Sequence, residues 1–261
     1  MSLLEDVQTG KQQGPRRIML YGTHGIGKST FASRAPSPIF IQTEDGLGGI
    51  DCCRFPLAST STFDGVIAAL TELLQGKHSY KTIVIDSLDW LEQVIWQDVC
   101  KANGVESIEK IGYAKGYTFA LVQWRRVLAG LSALRSQRGM TAILTAHSTI
   151  EKFENPQTET YSRYTPKLHK HASAVMQEWC DEVLFAHHKV MVRKEEEGFN
   201  KERARPVDSN QRVISTVEKP FNIAKNRLDL PDEIPLSWAE FAKYLPENIT
   251  TTKKEKTNGK S

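Results

Sequence analysis

Between Met19 and Ala32 the sequence reads MLYGTHGIGKSTFA, which contains the spacing G-x-x-x-x-G-K-[ST] of a phosphate-binding loop. Glycines let backbone N–H groups turn toward phosphate oxygens, a lysine at this position reaches the β- and γ-phosphates, and the following hydroxyl can ligate Mg²⁺. The flanking residues predict a strand before the loop and a helix after it, as such a loop requires. The predicted nucleotide-binding residues are Gly22, Thr23, His24, Gly25, Ile26, Gly27, Lys28, Ser29 and Thr30.

A second chemical signal is an acid at the end of an apolar run, in TIVIDS. A nucleotide-bound Mg²⁺ needs a carboxylate near the phosphate loop, and Asp86 directly follows a predicted buried strand, in a Walker B pattern. Asp86 and Ser29 are therefore the predicted metal-linked residues. The alternative is that Asp86 caps the helix that begins nearby, and both roles are compatible. Asp89 is expected to be an exposed acid in the first turn of that helix.

Hydrolysis would need a group that orients or deprotonates water. Glu44, in FIQTEDG, ends the second predicted strand and would lie beside the phosphate loop if that strand neighbours the first. Glu92 is expected to lie one helical turn too far along. Glu44 is therefore the candidate, and the alternative is an ordinary turn carboxylate before Gly46.

His147 ends another buried strand, in AILTAHS, at the sheet edge where open α/β sheets bind ligands. It is a candidate sensor of the γ-phosphate, and the alternative is a histidine satisfied by local hydrogen bonds. The pairs His169 and His171, and His187 and His188, have no matching cysteine or histidine cluster, so the sequence gives no support for a zinc site.

The spacing of apolar residues predicts an α/β fold with a mostly parallel sheet flanked by helices and a C-terminal β-hairpin. Strands are predicted at 16–21, 38–43, 81–86, 140–146 and 181–192, helices at 63–74, 88–101, 118–138 and 237–245, and a charged hairpin around 193–212. The polar segment from His147 to Ser173 shows no convincing period until its end. Long segments of this kind are usually functional or mobile.

Composition limits the class of protein. The 261 residues are 39% hydrophobic and 25% charged, which is typical of a soluble globular chain. The net charge of +3 is smaller than that of a dedicated cationic nucleic-acid binder. The first residues lack the basic start and apolar centre of a signal peptide, so a cytoplasmic protein without membrane contact is expected. The expected division is an N-terminal segment (1–15), an ATPase domain (16–246) and a disordered basic tail (247–261).

Six segments in this order resemble the RecA-like P-loop ATPases of phage recombination modules: GTHGIGKST, FIQTEDG, IVIDSLDWLE, IGYAKGYTFALVQWRRVLAGL, AILTAHS and AKNRLDLP. These small relatives of RecA and KaiC are often encoded beside single-strand-binding and annealing proteins. The resemblance implies a RecA-like core that uses ATP and Mg²⁺. It matches Glu44 to the catalytic glutamate and His147 to the polar sensor, where RecA itself has glutamine.

The resemblance also implies self-association with ATP at the subunit interface. Lys225 and Arg227, in KNR, resemble the cations that reach a neighbouring subunit's γ-phosphate. Two segments, 103–118 and 148–173, correspond to the loops that hold single-stranded DNA. In the second segment the cations and aromatic residues suited to this role are Lys152, Phe153, Tyr161, Arg163, Tyr164, Lys167 and Lys170. The alternative is that these residues only keep a mobile loop soluble.

The motifs predict an ATP-hydrolysing protein, and the resemblance implies a role in phage DNA recombination or replication in the host cytoplasm. It would bind single-stranded DNA as an oligomer and promote annealing or strand exchange with a single-strand-binding or annealing protein. Three alternatives stay open: a nucleotide-dependent loading factor that barely hydrolyses ATP, a helicase-like motor, and a small-molecule kinase. The kinase would leave the segments around Glu44, His147 and Arg227 unexplained.

Overall fold

The computed structural model describes residues 14–196 and 202–246, together with Val7, Thr9 and Gly10. The expected tail at 247–261 and ten of the 15 residues of the expected N-terminal segment lie outside the described residues. Within the described ranges no helix has the length and apolar character needed to cross a membrane.

The strands of this part of the chain form one connected sheet with a side branch. They are β1 (Arg17–Gly22), β2 (Pro38–Gln42), β3 (Cys53–Arg54), β4 (Thr82–Asp86), β5 (Thr141–Phe153), β6 (Tyr161–Pro166), β7 (Glu182–Glu196), β8 (Glu202–Ser215) and β9 (Glu233–Pro235). The order across the sheet is β3-β2-β4-β5-β1-β7-β8-β9, and β6 pairs with β5 outside this path. Pairing is parallel from β3 to β7 and antiparallel for β7–β8, β8–β9 and β5–β6.

Helices cover both faces of the sheet. They are α1 (Lys28–Ser33), α2 (Leu57–Thr60), α3 (Phe63–Gln75), α4 (Leu88–Ala102), α5 (Lys115–Arg138), α6 (Lys170–Trp179) and α7 (Trp238–Ala242). This arrangement confirms the predicted α/β class, the mostly parallel sheet and the C-terminal hairpin, which is formed by β7 and β8.

The central strand shows why its sequence is a continuous apolar run. Along β1, Met19 and Tyr21 pack into the core beneath α3 to α6, whereas Ile18 and Leu20 pack into the core beneath α1 and α7. All four side chains are fully buried. A strand covered on both faces needs apolar residues at every position rather than at alternate ones.

The sheet order does not meet the condition on which Glu44 was placed beside the phosphate loop. β2 does not neighbour β1, because β4 and β5 lie between them. The order of strands depends on long-range packing, which local apolar patterns do not encode.

The polar segment from His147 to Ser173 has more regular structure than its composition predicts. β5 continues to Phe153 and pairs with β6 in an antiparallel hairpin, and α6 begins at Lys170. The segment 103–118, expected to be a loop, contains a short 3₁₀ helix (Ile108–Lys110) and the first turn of α5. The polar composition of the hairpin follows from its exposure, because its outer half pairs with no further strand of the described residues.

Two ion pairs secure the edge of the sheet opposite the phosphate loop. Arg16 Nε donates to Glu182 Oε2 at 3.2 Å, and a second guanidinium nitrogen contacts the other carboxylate oxygen. Arg17 pairs in the same way with Asp181. Glu182 is fully buried, and burial raises its pKa while the Arg16 guanidinium opposes the rise. These pairs join the start of β1 to the start of β7.

Replacing Arg16 tests this connection. Arg16→Ala is expected to lower the free energy of unfolding by about 3 kcal/mol at pH 7.5, because a buried carboxylate loses its partner. Adding Glu182→Gln should recover most of the loss. Chemical denaturation measures both, with Arg34→Ala as the control for an exposed arginine. Equal stability of Arg16→Ala and the control would contradict this assignment.

Candidate functional site

The phosphate loop joins β1 to α1 through residues that need glycine. Gly25 and Gly27 have φ angles of +70° and +115°, where a side chain would be strained. A Cβ on Gly22 would lie 2.3 Å from the carbonyl oxygen of Ala186 on β7. Glycine at this position therefore allows β1 and β7 to lie close together just where the loop begins.

Lys28 is buried at the start of α1, and its ammonium is held close to the loop. Nζ donates to the carbonyl oxygens of Gly22 at 3.1 Å and Thr23 at 2.9 Å. Burial lowers the pKa of Lys28, while the carboxylates of Asp86, Asp89 and Glu44 oppose this shift. The ammonium thus lies among acids and backbone carbonyls, where a phosphate could replace the carbonyl contacts.

A cavity of ≈ 320 Å³ lies above the loop. It is lined by most of the residues predicted for the phosphate loop, the metal, the attacking water and the γ-phosphate sensor, namely His24, Gly25, Gly27, Lys28, Ser29, Thr30, Glu44, Asp86 and His147. Ile26 instead points into the core beneath α1. The residues predicted to bind phosphate, hold the metal, orient water and sense the γ-phosphate are therefore neighbours in space.

The oxygen ligands around this cavity fit Mg²⁺. Asp86 and Ser29 line the same space, and Thr145 donates a hydrogen bond to Asp86 Oδ1. Mg²⁺ usually takes one or two carboxylate or hydroxyl ligands and completes its shell with water and substrate phosphates. Within the described ranges no group of three or more histidine, cysteine, aspartate or glutamate residues forms a metal cluster. A nucleotide-bound Mg²⁺ fits this sparse set of ligands.

Glu44 reaches the cavity although β2 does not neighbour β1. The Thr43 hydroxyl donates to the Ser87 carbonyl at 2.7 Å and accepts from the Ser87 N–H at 2.9 Å, so the ends of β2 and β4 are joined. Ser87 Oγ then donates to Glu44 Oε1 at 2.7 Å. Of the two carboxylate oxygens, Oε1 alone has a partner among the described residues. Oε2 is available to a water molecule.

His147 belongs to a chain of polar contacts that runs into the phosphate loop. Its backbone N–H and Nδ1 lie 3.0 and 2.8 Å from the two oxygens of Asp89. Its ring stacks on His24, with 3.8 Å between ring centroids. Burial opposes ionisation of Asp89, but the hydrogen bonds from His147 outweigh it and hold its pKa below the usual range. The nearby His147 lowers the pKa of His24.

The structure corrects the expectation that Asp89 is an exposed acid of the first helical turn. Asp89 is only 7% exposed, and its hydrogen bond orients the His147 ring. In the sequence, the only sign that Asp89 belongs to the site is its position three residues after Asp86. The packing of α4 against β5 turns its side chain inward. The stacking of His24 on His147 has no signal in the sequence.

The predicted subunit-bridging cations lie at the opposite edge of the sheet. Lys225 Nζ donates to the carbonyl oxygens of Gln177, Glu178 and Cys180 at 2.6–3.1 Å, where α6 ends. Arg227 is 54% exposed and pairs with Asp181 at 3.3 Å. Neither is near the phosphate loop of its own chain.

Residues expected to contact DNA divide between the two faces of the β5–β6 hairpin. Phe153 and Tyr161 are directly opposite each other, and Arg163 lies 3.8 Å from the centroid of the Phe153 ring. Lys152 lies on the other face and is exposed. Phe153, Tyr161 and Arg163 thus form one continuous surface of aromatic and cationic character.

The other candidates are placed differently. Tyr164 stacks on Phe185 with 5.0 Å between centroids and packs against the core, so its ring is engaged within the fold instead of being presented to solvent. Lys167 lines a second cavity beside the phosphate loop, and Lys170 is exposed at the start of α6. Tyr113, in the segment before α5, is 97% exposed with a φ of +56° and was not singled out by the sequence.

The second cavity has a volume of ≈ 430 Å³ and shares His24 with the first. Glu92 lies in its wall, 4% exposed, and accepts hydrogen bonds from the His169 N–H at the start of α6. Burial raises the pKa of Glu92 to about 7, against the opposing effect of this N–H. Glu92 therefore belongs to the packing of α4 against α6, outside the phosphate cavity.

The raised pKa of Glu92 predicts a pH dependence. Between about pH 5 and pH 7 the folded chain retains a proton on Glu92 that the unfolded chain releases, so Glu92 makes the free energy of unfolding fall between pH 5 and pH 8. In Glu92→Gln the fall should be smaller than in the native chain by roughly 1–3 kcal/mol. Denaturation at both pH values measures it, with the exposed Glu72→Gln as control. Parallel profiles for the native chain and Glu92→Gln would contradict the assignment.

Two known proteins are similar to part of this chain. Over 141 residues, 52% of this chain, the sequence is 28% identical to the SPbeta prophage-derived uncharacterized protein YorG of Bacillus subtilis (strain 168), and the match spans 42% of that protein's length. A crystal structure of the RadB recombinase is similar with a TM-score of 0.43 and 12% identity, covering 78% of this chain and 81% of that chain.

A protein-family model, AAA_24, described as an AAA domain, matches residues 14–228. The matched range contains the phosphate loop, Glu44, Asp86 and His147. It therefore includes every residue that lines the nucleotide cavity. The chain belongs to this AAA domain family and is a nucleotide-binding protein of the P-loop ATPase class.

Proposed function

We propose that this chain is an ATP-hydrolysing, RecA-like protein of phage DNA recombination or replication. It assembles as an oligomer on single-stranded DNA. The observation that carries the proposal is the convergence of Lys28, Ser29, Glu44, Asp86 and His147 on one cavity of ≈ 320 Å³. Similarity to a protein named as prophage-derived supports the phage setting, in the host cytoplasm.

Hydrolysis follows from the placement of these side chains. A water oxygen attacks the γ-phosphorus, the bond to the bridging oxygen of ADP breaks, and the Glu44 carboxylate takes the proton from water. Lys28 stabilises the charge that develops on the phosphate oxygens. Mg²⁺, held by Ser29 and Asp86, would neutralise charge on the β- and γ-phosphates.

His147 connects the phosphate cavity to the β5–β6 hairpin. Its carbonyl oxygen accepts a hydrogen bond from the Lys167 N–H at 2.8 Å, and the next residue, Ser148, pairs with Pro166 at the base of the hairpin. A shift of His147 toward a γ-phosphate would therefore move the hairpin. This connection supports a role for ATP in ordering the surface of Phe153, Tyr161 and Arg163 for stacking and charge contacts with single-stranded DNA.

The contacts of the two cations favour Arg227 over Lys225 as the residue that acts across a subunit interface. Both lie at the sheet edge away from their own phosphate loop, so contact with a γ-phosphate requires a neighbouring subunit. Lys225 would have to release three carbonyl oxygens to make it, whereas Arg227 would release one carboxylate that Arg17 also pairs. The planar guanidinium of Arg227 suits bidentate contact with phosphate oxygens.

ATP turnover and strand displacement distinguish two alternatives from this proposal. A loading factor would bind ATP and a recombinase or annealing protein with little turnover, and a helicase-like motor would displace strands directionally. The chain's matched family and P-loop agree with all three classes. The connection from His147 to the hairpin favours DNA-linked turnover.

The ATPase rate with and without single-stranded DNA tests the proposal. The native chain should hydrolyse ATP faster with DNA and gain mass with a non-hydrolysable ATP analogue. Glu44→Gln should keep ATP binding and lose 10²-fold or more of the rate, because it loses the group that accepts the proton. Lys28→Ala should lose ATP binding.

The neighbouring exposed Asp45→Asn is the matched control and should keep the native rate. Native ATP binding with no turnover, with or without DNA, would favour the loading factor. DNA-strand displacement by the native chain would favour the motor. If neither DNA nor nucleotide changes rate or mass, the proposal is wrong.

Arg227→Ala tests the composite site. It should bind ATP and ADP with native affinity and melt near the native temperature, but lose most of its DNA-stimulated turnover. Mixing it with Glu44→Gln should restore part of the rate, because a Glu44→Gln subunit still offers Arg227 to a neighbour whose Glu44 is intact. Native turnover by Arg227→Ala in the presence of single-stranded DNA would rule out the interface role.

A further inference from the structure

The pairing of β7 with β8 is irregular close to the phosphate loop. Gly22 at the end of β1 is level with Ala186 on β7, and two residues further along β7 His188 pairs with Arg212. The register then shifts, so that the next pair is Val190 with Asp208. Such bulges bend a strand and redirect its side chains, often beside functional sites.

The backbone of Arg212 is held in place at this bulge. Its carbonyl oxygen accepts a hydrogen bond from the Leu236 N–H at 2.9 Å, which joins β8 to the residue after β9. On the facing strand, Lys189 forms an ion pair with Glu233 of β9. Three strands therefore fix the point from which the Arg212 side chain extends.

The side chain of Arg212 reaches the phosphate loop. Its Nη1 atom is 3.6 Å from the position that a Cβ on Gly27 would occupy, and the Leu236 side chain is 3.5 Å from the same point. Arg212 is exposed, and no carboxylate among the described residues pairs with its guanidinium. An uncompensated arginine beside a phosphate loop is a candidate contact for an anion.

The sheet order gives the direction in which a nucleotide must lie. Asp86 and Glu44 follow β4 and β2, on one side of β1, and the γ-phosphate has to be near them. β7, β8 and β9 lie on the other side of β1. A triphosphate with its γ-phosphate there would span the loop, so its α-phosphate and nucleoside end would emerge on the side where Arg212 and Leu236 lie.

We propose that Arg212 binds the α-phosphate end of the nucleotide within its own subunit, with Leu236 offering apolar surface next to it. A planar guanidinium gives two parallel donors to phosphate oxygens. This inference rests on the nucleotide-binding part of the proposed function and is independent of hydrolysis and DNA. It assigns a role in affinity to Arg212, in contrast to the role in turnover assigned to Arg227.

Equilibrium binding of ADP and ATP tests the inference. Because both nucleotides carry the α-phosphate, Arg212→Ala should weaken both by the same factor, about tenfold or more. Arg212→Lys, which keeps the charge but loses the fork, should give an intermediate loss. Arg125→Ala removes an exposed arginine of α5 and should bind both nucleotides as the native chain does.

The outcomes separate this inference from the proposed function. Native ADP affinity in Arg212→Ala, while Lys28→Ala fails to bind, would overturn the role of Arg212 and leave the nucleotide site intact. A loss for ATP much larger than for ADP would place the guanidinium at the γ-phosphate and also overturn it. No nucleotide binding by the native chain would overturn both proposals.

Thermal unfolding without nucleotide checks for a merely structural role. Arg212→Ala should melt within a few degrees of the native chain, because its side chain is exposed. If Arg212→Ala fails to fold, Arg212→Gln carries the test, since it keeps a hydrogen-bond donor without charge. Native affinity in a folded Arg212→Gln would contradict the proposal.

Discussion

The parallel pairing of β4, β5 and β1 is the constraint on which the site depends. Parallel strands begin at one edge of a sheet and end at the other, so the residues that follow them meet at the same edge. Asp86 ends β4, His147 lies on β5 where its pairing with β1 ends, and the phosphate loop follows β1. Burial of the strands on both faces makes any change of register costly, because it would expose apolar side chains.

Hydrogen bonds then add precision at this edge. The reciprocal bonds between Thr43 and Ser87 join the ends of β2 and β4, and through them Glu44 reaches a loop that its own strand does not neighbour. Asp89 similarly fixes the ring of His147. Polar groups that hydrogen-bond to one another inside the fold leave their side chains little conformational freedom. Such fixed positions are what catalysis by proximity and orientation requires.

The two hairpins extend from opposite sides of β1. The β5–β6 hairpin continues from His147, on the side of Asp86 and Glu44, where we propose that the γ-phosphate binds. The β7–β8 hairpin passes Arg212, on the side where we propose that the α-phosphate, common to ATP and ADP, binds. Under these two proposals one hairpin responds to hydrolysis and the other retains the nucleotide.

Much of this site could be predicted from the sequence, because the relevant signals are local. The phosphate loop lies between a strand and a helix, and all three are contained in residues 17–33. Asp86 and His147 directly follow apolar runs that were predicted as strands. The fold class followed from the alternation of these runs with helical periods. The β5–β6 hairpin was missed, since exposed strands carry polar residues that resemble a loop.

Only the tertiary structure decided the contacts between residues that lie far apart in the chain. The position of β2 beyond β4, the inward turn of Asp89 toward His147, the stacking of Tyr164 on Phe185 and the approach of Arg212 to Gly27 all depend on packing between distant elements. Local sequence sets which backbone a segment can adopt, whereas its neighbours are set by burial summed over the whole chain. The sequence by itself thus determined that a nucleotide could be bound, and the fold decided which side chains surround it.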